Sequence, residues 1–168
     1  MDSGDTDETL MARIAEGDRG AFHALTRRHL PRFLRVATRI LGNASEAEDV
    51  AQEAFLRVWS HADRWDAGKA KVTTWMHRIV VNLCIDRRRK ARTVPLEEAG
   101  DPIDPAPSAA DDLWRTQMAG LVSRAVGELP ERQRSALVLC YYEEMSNVEA
   151  AQALSVSVSA IESLLVRA

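Results

Sequence analysis

Apolar residues recur at spacings of three and four along almost the whole chain. The pattern covers residues 7–17, 19–43, 45–61, 73–92 and 113–166. This period is that of amphipathic α-helices, each of which turns one face towards a core. Within the second segment, Pro31 is expected to kink the helix or to divide it in two, because proline lacks a backbone N–H. The sequence therefore predicts an all-α protein.

The segment 45–61 has the most regular pattern. Its apolar positions form one face, which predicts a core helix that begins at the capping-box pair Ser45 and Glu48. A second face is acidic and partly apolar. It consists of Asp49, Gln52, Glu53 and Leu56. This composition fits a solvated surface as well as a contact with a partner, and both interpretations stay open at this point.

The segment 73–92 predicts a helix with two distinct stripes and a basic end. The apolar stripe is Val72, Met76, Ile79, Val80 and Leu83, and the polar stripe is Trp75, Arg78, Asn82, Asp86 and Arg89. The five cations at the end are Arg87, Arg88, Arg89, Lys90 and Arg92. A helix dipole favours one or two cations at a C-terminus. Because these five surround more than one face of the helix, we predict that several of them bind phosphates.

Two tryptophans flank the loop that precedes this helix. Trp65 and Trp75 lie on either side of Lys69 and Lys71. Such an aromatic and basic surface can stack the bases of an unpaired strand while it holds the backbone. Core packing is the alternative interpretation of both tryptophans.

Residues 93–112 differ from the rest of the chain in composition. They hold four of the six prolines, six acidic residues and no basic one. Dense proline prevents a helix or strand from continuing, and acidic repulsion keeps the chain extended. We therefore predict a flexible linker between two small helical domains, with a reach of about 70 Å when fully extended.

Residues 113–168 predict the second domain. A helix that stops before Pro130 is followed by an apolar stretch, and then by a short helix, a three-residue turn and another helix. Ser146 and Glu149 form a capping box, and Leu154 and Ile161 are placed to fill the angle between the last two helices. This is the helix-turn-helix layout, whose second helix enters a DNA major groove. Helix pairs that bind no nucleic acid also fit the spacing.

The net charge of −3 conceals a division within the chain. Residues 27–92 hold 15 Lys and Arg against 7 Asp and Glu, a net charge of +8, and the remainder carries −11. A local positive field attracts polyanions even when the total charge is negative. Nucleic acid is therefore the predicted class of partner.

Other sequence signals narrow the class of protein. No apolar run approaches the roughly 18 residues that span a bilayer, and the acidic N-terminus is unlike a secretory signal. We expect a cytoplasmic protein without membrane insertion. The spacing of histidines and cysteines predicts no metal site and no cofactor, and the absence of phosphate-binding or nucleophile motifs argues against an enzyme.

Three motifs in register resemble the extracytoplasmic-function (ECF, group IV) sigma factors of bacterial RNA polymerase. They are the D-x-x-Q-E-x-F-x-x-x-W stretch from Asp49, the W-x-x-x-I-x-x-N-x-x-x-D stretch from Trp75, and the L-P-x-x-x-R module from Leu129 that ends in the S-x-x-E-x-A-x-x-L helix. They cover nearly the whole chain in the order of the family. The resemblance implies sigma region 2 at residues 1–92, the linker at 93–112, and sigma region 4 at 113–168.

The resemblance also implies roles for particular residues. The acidic face of Asp49, Gln52, Glu53 and Leu56 is expected to dock on the clamp helices of the largest subunit of core RNA polymerase. The −10 promoter element is expected to be melted and captured by Lys69, Lys71, Trp75, Arg78, Asn82, Arg87, Arg88, Arg89, Lys90 and Arg92. The −35 duplex is expected to be read by Ser157, Ser159, Ala160, Ser163 and Arg167.

The family further implies a stress response and an anti-sigma factor that inhibits the chain. The sequence is similar to the SigE/RpoE branch whose anti-sigma factors, of the ChrR type, bind zinc. One departure is that no basic residue lies between Arg134 and Arg167, where relatives often carry Lys or Arg. The apolar pattern reaches Ala168 without a C-cap, so we expect a few further, basic residues. A stand-alone helix-turn-helix repressor and a nucleic-acid hydrolase are the competing hypotheses.

Overall fold

The computed structural model describes residues 4–93 and 110–168, and the side chains of 4–91 and 118–168. Within these ranges the chain forms the helices α1 (Asp7–Ala15), α2 (Arg19–Leu41), α3 (Ala44–His61), α4 (Val72–Thr93), α5 (Ala110–Glu128), α6 (Glu131–Leu137), α7 (Asn147–Leu154) and α8 (Val158–Val166). A 3₁₀ turn (Ala62–Arg64) follows α3, and a π-helical turn (Val138–Tyr142) continues α6. No strand occurs in the described ranges, so the all-α prediction is confirmed. The predicted linker lies largely outside them.

Helices α1 to α4 form the first domain around one apolar core. Phe33 of α2 is completely buried at the centre, with the Phe55 ring of α3 edge-on at 6.2 Å and the His77 ring of α4 at 4.7 Å between centroids. Such edge-to-face pairs add about 0.5–1.5 kcal/mol beyond the area that they bury. The apolar stripes predicted for α3 and α4 lie in this core. The core fixes the outward direction of the polar faces of both helices.

Helix α2 remains a single helix through Pro31. The helix runs from Arg19 to Leu41 and ends at Gly42, which takes a left-handed conformation with φ of 73°. Of the two predicted effects of Pro31, a kink or a division of the helix, the division is wrong. Pro31 lies on the exposed face, so the carbonyl that it leaves without a helical partner faces water, and the buried face packs without interruption.

The N-terminus of α3 also differs from the prediction. Asn43 is the N-cap, and its side-chain oxygen accepts a hydrogen bond from the backbone N–H of Glu46 at 3.0 Å. The predicted pair of Ser45 and Glu48 is therefore wrong by two residues. Asn and Ser are comparable N-caps, and the local pattern alone does not choose between them.

Helices α5 to α8 form the second domain. Helices α7 and α8 meet at 100°, which lies in the range of helix-turn-helix units. Leu154 and Ile161 are buried in the angle between them, as predicted. The predicted capping box at Ser146 is confirmed, because its hydroxyl and the Glu149 carboxylate each bond the backbone N–H of the other residue. The helix-turn-helix layout is thus present.

The turn of this unit contains a strained residue, and replacing it is expected to stabilise the protein. Ser155 has φ of 54°, a left-handed conformation that costs an L-residue roughly 1 kcal/mol relative to glycine. Glycine has more conformational entropy than serine in the unfolded state, and this offsets part of the relieved strain. We therefore expect Ser155→Gly to raise the free energy of unfolding by about 0.5 kcal/mol. Thermal unfolding measures this, with Ser155→Ala as the control that keeps the strain. A lower melting temperature for Ser155→Gly would contradict this assignment of strain.

Among the described residues, no single helix is long and apolar enough to cross a bilayer. Only α7 and α8 taken together, with a bend of 100° between them, have that length and composition.

Candidate nucleic-acid interface

The loop before α4 holds its two lysines out into solvent. The side chain of Asp66 accepts a hydrogen bond from the N–H of Gly68 at 2.9 Å, and the indole of Trp65 donates to the carbonyl of Ala70 at 3.0 Å. The first of these bonds, together with the Lys69 ammonium, lowers the pKa of Asp66. The side chains of Lys69 and Lys71 are 83% and 73% exposed. The loop is thus a braced turn with a cationic outer surface.

The polar stripe of α4 continues this surface. Arg78 and Asn82 are exposed, and Trp75 is half-buried against the core. Trp65 is also half-buried. The core and surface interpretations of the tryptophans therefore hold together, because each ring packs against the core and keeps one part accessible. The result is a row of aromatic and cationic groups along one side of α4.

The basic end of α4 divides into residues with different contacts. The guanidinium of Arg88 donates to the backbone carbonyls of Ile40 and Leu41, at 3.3 and 3.4 Å, and so caps the end of α2. Arg87 lies 3.7 Å from Asp49, and Arg89 lies 3.2 Å from Asp86. Lys90 is exposed, and the side chain of Arg92 lies outside the described residues. Arg88 therefore has a structural role within the first domain.

The acidic face of α3 is exposed and meets the basic end of α4 where Asp49 lies 3.7 Å from Arg87. The Leu56 side chain is an isolated apolar group with 63% exposure. Beside it, Glu53 pairs with Arg57 one turn later at 2.6 Å, and Gln52 and Asp49 are exposed. An exposed leucine among polar groups is a small apolar anchor for a partner surface.

The predicted residues of the last helix lie around its N-terminus and outer side. Ser157 is the N-cap of α8, with its hydroxyl accepting from the N–H of Ala160 at 3.1 Å. Ser159, Ser163 and Arg167 are exposed, and Ala160 is half-buried. The first turn therefore presents two small hydroxyl groups, those of Ser157 and Ser159, which lie 3.1 Å apart in a mutual hydrogen bond and can exchange it for bonds to base edges.

The two domains turn these surfaces towards each other across a groove of about 600 Å³. One wall contains Trp65, Lys69, Trp75 and Arg78 from the first domain, and the other contains Gln152, Ser155, Val156, Ser157 and Val158 from the second. Sequence analysis placed the −10 and −35 residues on separate domains, but it gave no signal that Lys69, Trp75 and Arg78 of the first set would line one groove with Ser157 of the second.

A buried carboxylate joins the domains beside this groove. Glu143 follows the π-helical turn, and its Oε2 accepts from Arg32 Nε of α2 at 2.5 Å and lies 3.3 Å from His77 Nε2 of α4. Burial alone would raise the pKa of Glu143, but the hydrogen bonds from His77 and Arg32 outweigh burial and hold the pKa below its usual value. The side chain of His77 is 1% exposed. Sequence analysis assigned no role to these three residues.

A buried guanidinium makes a second contact between the domains. Arg134 of α6 is 1% exposed and donates to the carbonyl of Ile40 at 2.7 Å, while its other nitrogen reaches the carbonyls of Gly127 and Leu129. Burial lowers the pKa of Arg134 to about 10, which leaves it charged at neutral pH. It therefore ties the C-terminal ends of α2 and α5 together, where the helix dipoles favour a cation.

A third contact predicts a pH-dependent effect on stability. Lys71 Nζ lies 2.7 Å from Glu149 Oε1, and this bond, with those from Ser146, lowers the pKa of Glu149 to about 2. A carboxylate with a lowered pKa stabilises the folded state above its unfolded pKa, and this contribution disappears as the pH falls through the folded value. We expect Glu149→Gln, which retains the cap, to lower stability by about 0.5 kcal/mol at pH 7.

The measurement is thermal unfolding of both proteins from pH 7 to pH 2. The difference in free energy of unfolding between the wild type and Glu149→Gln is expected to be constant down to about pH 4.5 and then to become smaller. Glu162→Gln, an exposed change on α8, is the matched control. A difference that widens in acid would contradict the assigned ion pair.

Comparison with known proteins identifies the family of this chain. The Sigma-70 region 2 family matches residues 25–94, and the Sigma-70 region 4 family matches residues 119–168. The ECF RNA polymerase sigma factor SigM of Mycobacterium tuberculosis (strain ATCC 25618 / H37Rv) is 34% identical over 97% of this chain and 81% of its own length. The chain belongs to the ECF sigma factors. SigW of Bacillus subtilis (strain 168), also an ECF sigma factor, is 29% identical over 92% of this chain and 88% of its own.

Solved structures extend the likeness to the arrangement of the domains. CnrH, in complex with the cytosolic domain of CnrY, matches 97% of this sigma factor and 92% of its own chain, with a TM-score of 0.70 and 28% identity. Because each domain is only about half of the chain, a score of this size requires both domains to superpose together. RpoE of Bartonella quintana, in complex with the anti-sigma factor NepR, shares the fold with a TM-score of 0.68 over 87% of this chain and 90% of its own, at 22% identity.

Family membership establishes the general activity. As an ECF sigma factor, the protein binds core RNA polymerase and directs promoter-specific initiation of transcription. It is a transcription regulator. What membership leaves open is which of its residues contact the polymerase and which contact each promoter element.

Proposed function

We propose that this sigma factor divides promoter recognition between two surfaces, with sigma region 2 at residues 1–92 and sigma region 4 at 113–168. The observation that supports this most directly is the row of Trp75, Arg78 and Lys69 on an apolar-backed helix, opposite a helix-turn-helix unit with a 100° angle. The two surfaces differ in chemistry: the first is aromatic and cationic, and the second presents small hydroxyl groups.

The α4 surface captures the separated non-template strand of the −10 element. An unpaired base can stack on the accessible part of Trp75, with Asn82 available to hydrogen-bond its edge and Arg78 to pair with the backbone. Stacking on an aromatic ring contributes about 1–3 kcal/mol per base, which offsets the few kcal/mol needed to unstack a base from the duplex. The further cations assigned to this strand are Lys69, Lys71, Arg87, Arg89, Lys90 and Arg92. Arg88 contributes by holding α2 against α4.

The α8 surface reads the −35 duplex from the major groove. Ser157 and Ser159 stand at the N-terminus of the helix, the end that meets base edges in helix-turn-helix complexes. Ala160 and Ser163 follow along its outer side, and Arg167 is placed to pair with a phosphate. Serine hydroxyls both donate and accept, so they suit either base of a pair.

The α3 face of Asp49, Gln52, Glu53 and Leu56 binds the clamp helices of the largest polymerase subunit. The two proposed surfaces adjoin where Asp49 lies 3.7 Å from Arg87, while Lys69, Trp75 and Arg78 line the groove that faces the second domain. We infer that the protein acts in the cytoplasm, where polymerase and promoters are found, and that it has no enzymatic activity of its own.

We also propose control by an anti-sigma factor in a stress response. The support is the RpoE fold, which was solved with an anti-sigma factor bound, and the sequence similarity to the SigE/RpoE branch.

The test is transcription by core RNA polymerase from a library of templates with randomised −35 and −10 elements. With the chain present, we expect transcripts that share two sequence elements at a fixed spacing. Selection of a −10 element alone would contradict the assignment of α8. Tight binding of the chain to a duplex without polymerase would instead favour the repressor hypothesis.

A further inference from the structure

We propose that Arg32, His77 and Lys71 form a binding site for one backbone phosphate of the captured −10 strand. The inference rests on the proposed assignment of α4 to that strand. It adds a site whose two central residues, Arg32 and His77, have no part in that assignment. The site is a recess of about 210 Å³ beside the groove. Its volume is below the roughly 300–1,000 Å³ of small-molecule sites, so it suits a single small group.

The charged residues that line the recess divide between the two domains. The first domain contributes Arg32, Lys71 and His77, and the second contributes the carboxylates of Glu143, Glu144 and Glu149. Thr73 and Thr74, in the first turn of α4, also line it. The dipole of a helix favours an anion at that end. The wall built by the first domain therefore has the charge and the polarity of an anion-binding site.

The carboxylate of Glu143 shows how this wall holds an anion. Its Oε2 accepts a hydrogen bond from Arg32 Nε at 2.5 Å and lies 3.3 Å from His77 Nε2. Lys71 Nζ lies 2.7 Å from a second carboxylate, that of Glu149. A carboxylate and a DNA phosphate both present anionic oxygens that accept hydrogen bonds, and arginine binds both with the same N–H donors. The Glu143 oxygen therefore stands where a phosphate oxygen can bind.

His77 is oriented so that one ring nitrogen faces the recess. Its side chain is 1% exposed, and the ring of Phe33 packs edge-on against it at 4.7 Å between centroids. Its Nδ1 lies 2.7 Å from the carbonyl oxygen of Thr73, which only accepts, so Nδ1 carries a proton and donates it. A proton on Nε2 makes the ring a cation that donates to an anion in the recess. A buried nitrogen needs such a partner.

The recess lies beside the path of a strand along α4. Thr74 lines both the recess and the groove, and its neighbour in sequence, Trp75, lies in the groove. The Cα atoms of adjacent residues are about 3.8 Å apart. A base that stacks on Trp75 therefore places the adjoining strand backbone close to the recess. In the promoter complex the second domain is assigned to the −35 duplex, so a phosphate takes the position of its carboxylates.

The experiment is a chemical double-mutant cycle with core polymerase, the full chain and a selected promoter whose −10 region is already unpaired. Each phosphate of the non-template −10 strand is replaced in turn by a neutral methylphosphonate, and the affinity of the complex is measured by fluorescence titration. The change in the protein is Arg32→Gln, which removes the charge. Every protein also carries Glu143→Gln, so that the contact between Arg32 and the Glu143 carboxylate contributes to no difference.

One phosphate position is expected to couple to Arg32. There the methylphosphonate weakens binding by about tenfold when Arg32 is present, which is the contribution of one hydrogen bond between charged groups. With Arg32→Gln the same replacement is expected to weaken binding by about twofold or less, because both changes remove one contact. His77→Gln is expected to couple to the same position. Independent effects of Arg32→Gln and the methylphosphonate at every position would overturn the site.

Arg35→Gln is the matched control. Arg35 is exposed on the same helix, one turn after Arg32, and does not line the recess. It is expected to couple to no phosphate. A lost phosphate contact also makes the slope of log affinity against log salt concentration shallower, by about 0.7 for a single strand. We expect this change for Arg32→Gln and not for Arg35→Gln. An unchanged slope for Arg32→Gln would contradict the site.

Circular dichroism and thermal unfolding check that the variants stay folded. Arg32→Gln is expected to do so, because the Arg32 side chain is 38% exposed, and its coupling alone decides the test if His77→Gln unfolds. Failure of the proposed function gives a different result. If α4 does not capture the strand, no methylphosphonate in the −10 element weakens binding. If only the phosphate site is wrong, sensitive positions remain and none of them couples to Arg32.

Discussion

Reversing the charge of Lys69 and Arg78 together is expected to lower the rate of open-complex formation by about 100-fold and to leave the affinity for core polymerase within twofold. The change removes two attractions to the displaced strand and replaces them with repulsions. Both side chains are exposed, and the pair that Lys69 makes with Asp66 is long, at 3.3 Å. The fold should therefore tolerate the double variant.

The measurement is abortive initiation on a promoter selected from the randomised library, over a range of salt concentrations. The double variant Arg19→Glu with Arg124→Glu is the matched control, because both residues are exposed and lie outside every assigned surface. Arg88 is unsuited to this test, since its guanidinium supports the carbonyls at the end of α2. A loss of core binding in Lys69→Glu/Arg78→Glu would show that the surfaces of the first domain are wrongly assigned between DNA and polymerase.

Replacing Glu53 and Leu56 of α3 with lysine is expected to weaken binding to core polymerase by about 100-fold. The exposed Leu56 is the only apolar member of that face, and apolar residues at the centre of an interface commonly dominate its binding energy. Within the folded chain, the two substitutions remove only the ion pair of Glu53 with Arg57, an exposed contact at 2.6 Å that contributes about 0.5 kcal/mol to stability.

Fluorescence titration of core polymerase with the labelled chain measures this affinity. Glu16→Lys, an exposed reversal outside α3, is the control and is expected to bind as the wild type does. If the double lysine variant binds normally and has a normal melting temperature, the α3 face is not the docking surface.

The helices themselves were predictable because their signals are local. The buried stripes of α3 and α4, the capping box at Ser146 and the helix-turn-helix angle around Ile161 follow from residues within a few turns of one another. The errors were also local. Pro31 interrupts a hydrogen bond on the exposed side of α2, where its cost is lowest, and Asn43 competes with Ser45 as an N-cap of similar strength.

The contacts between the domains were not predictable from sequence. Glu143, Arg134 and His77 are polar residues whose spacing fits a solvated face as well as a buried one, and their partners lie 66 to 111 residues away along the chain. Polar contacts between residues so far apart along the chain produce no periodic pattern in the sequence. The candidate surfaces were recognisable from their composition and from the resemblance to the family, but their common groove depends on these distant pairs.

Reactivity of thymines towards permanganate, in the −10 element of the selected promoter, tests the central claim most directly. With core polymerase and the chain together, we predict reactive, unpaired thymines on the non-template strand, and we predict their loss in Lys69→Glu/Arg78→Glu. Equal reactivity for the wild type and the variant, in complexes that hold equal amounts of polymerase, would contradict strand capture by α4.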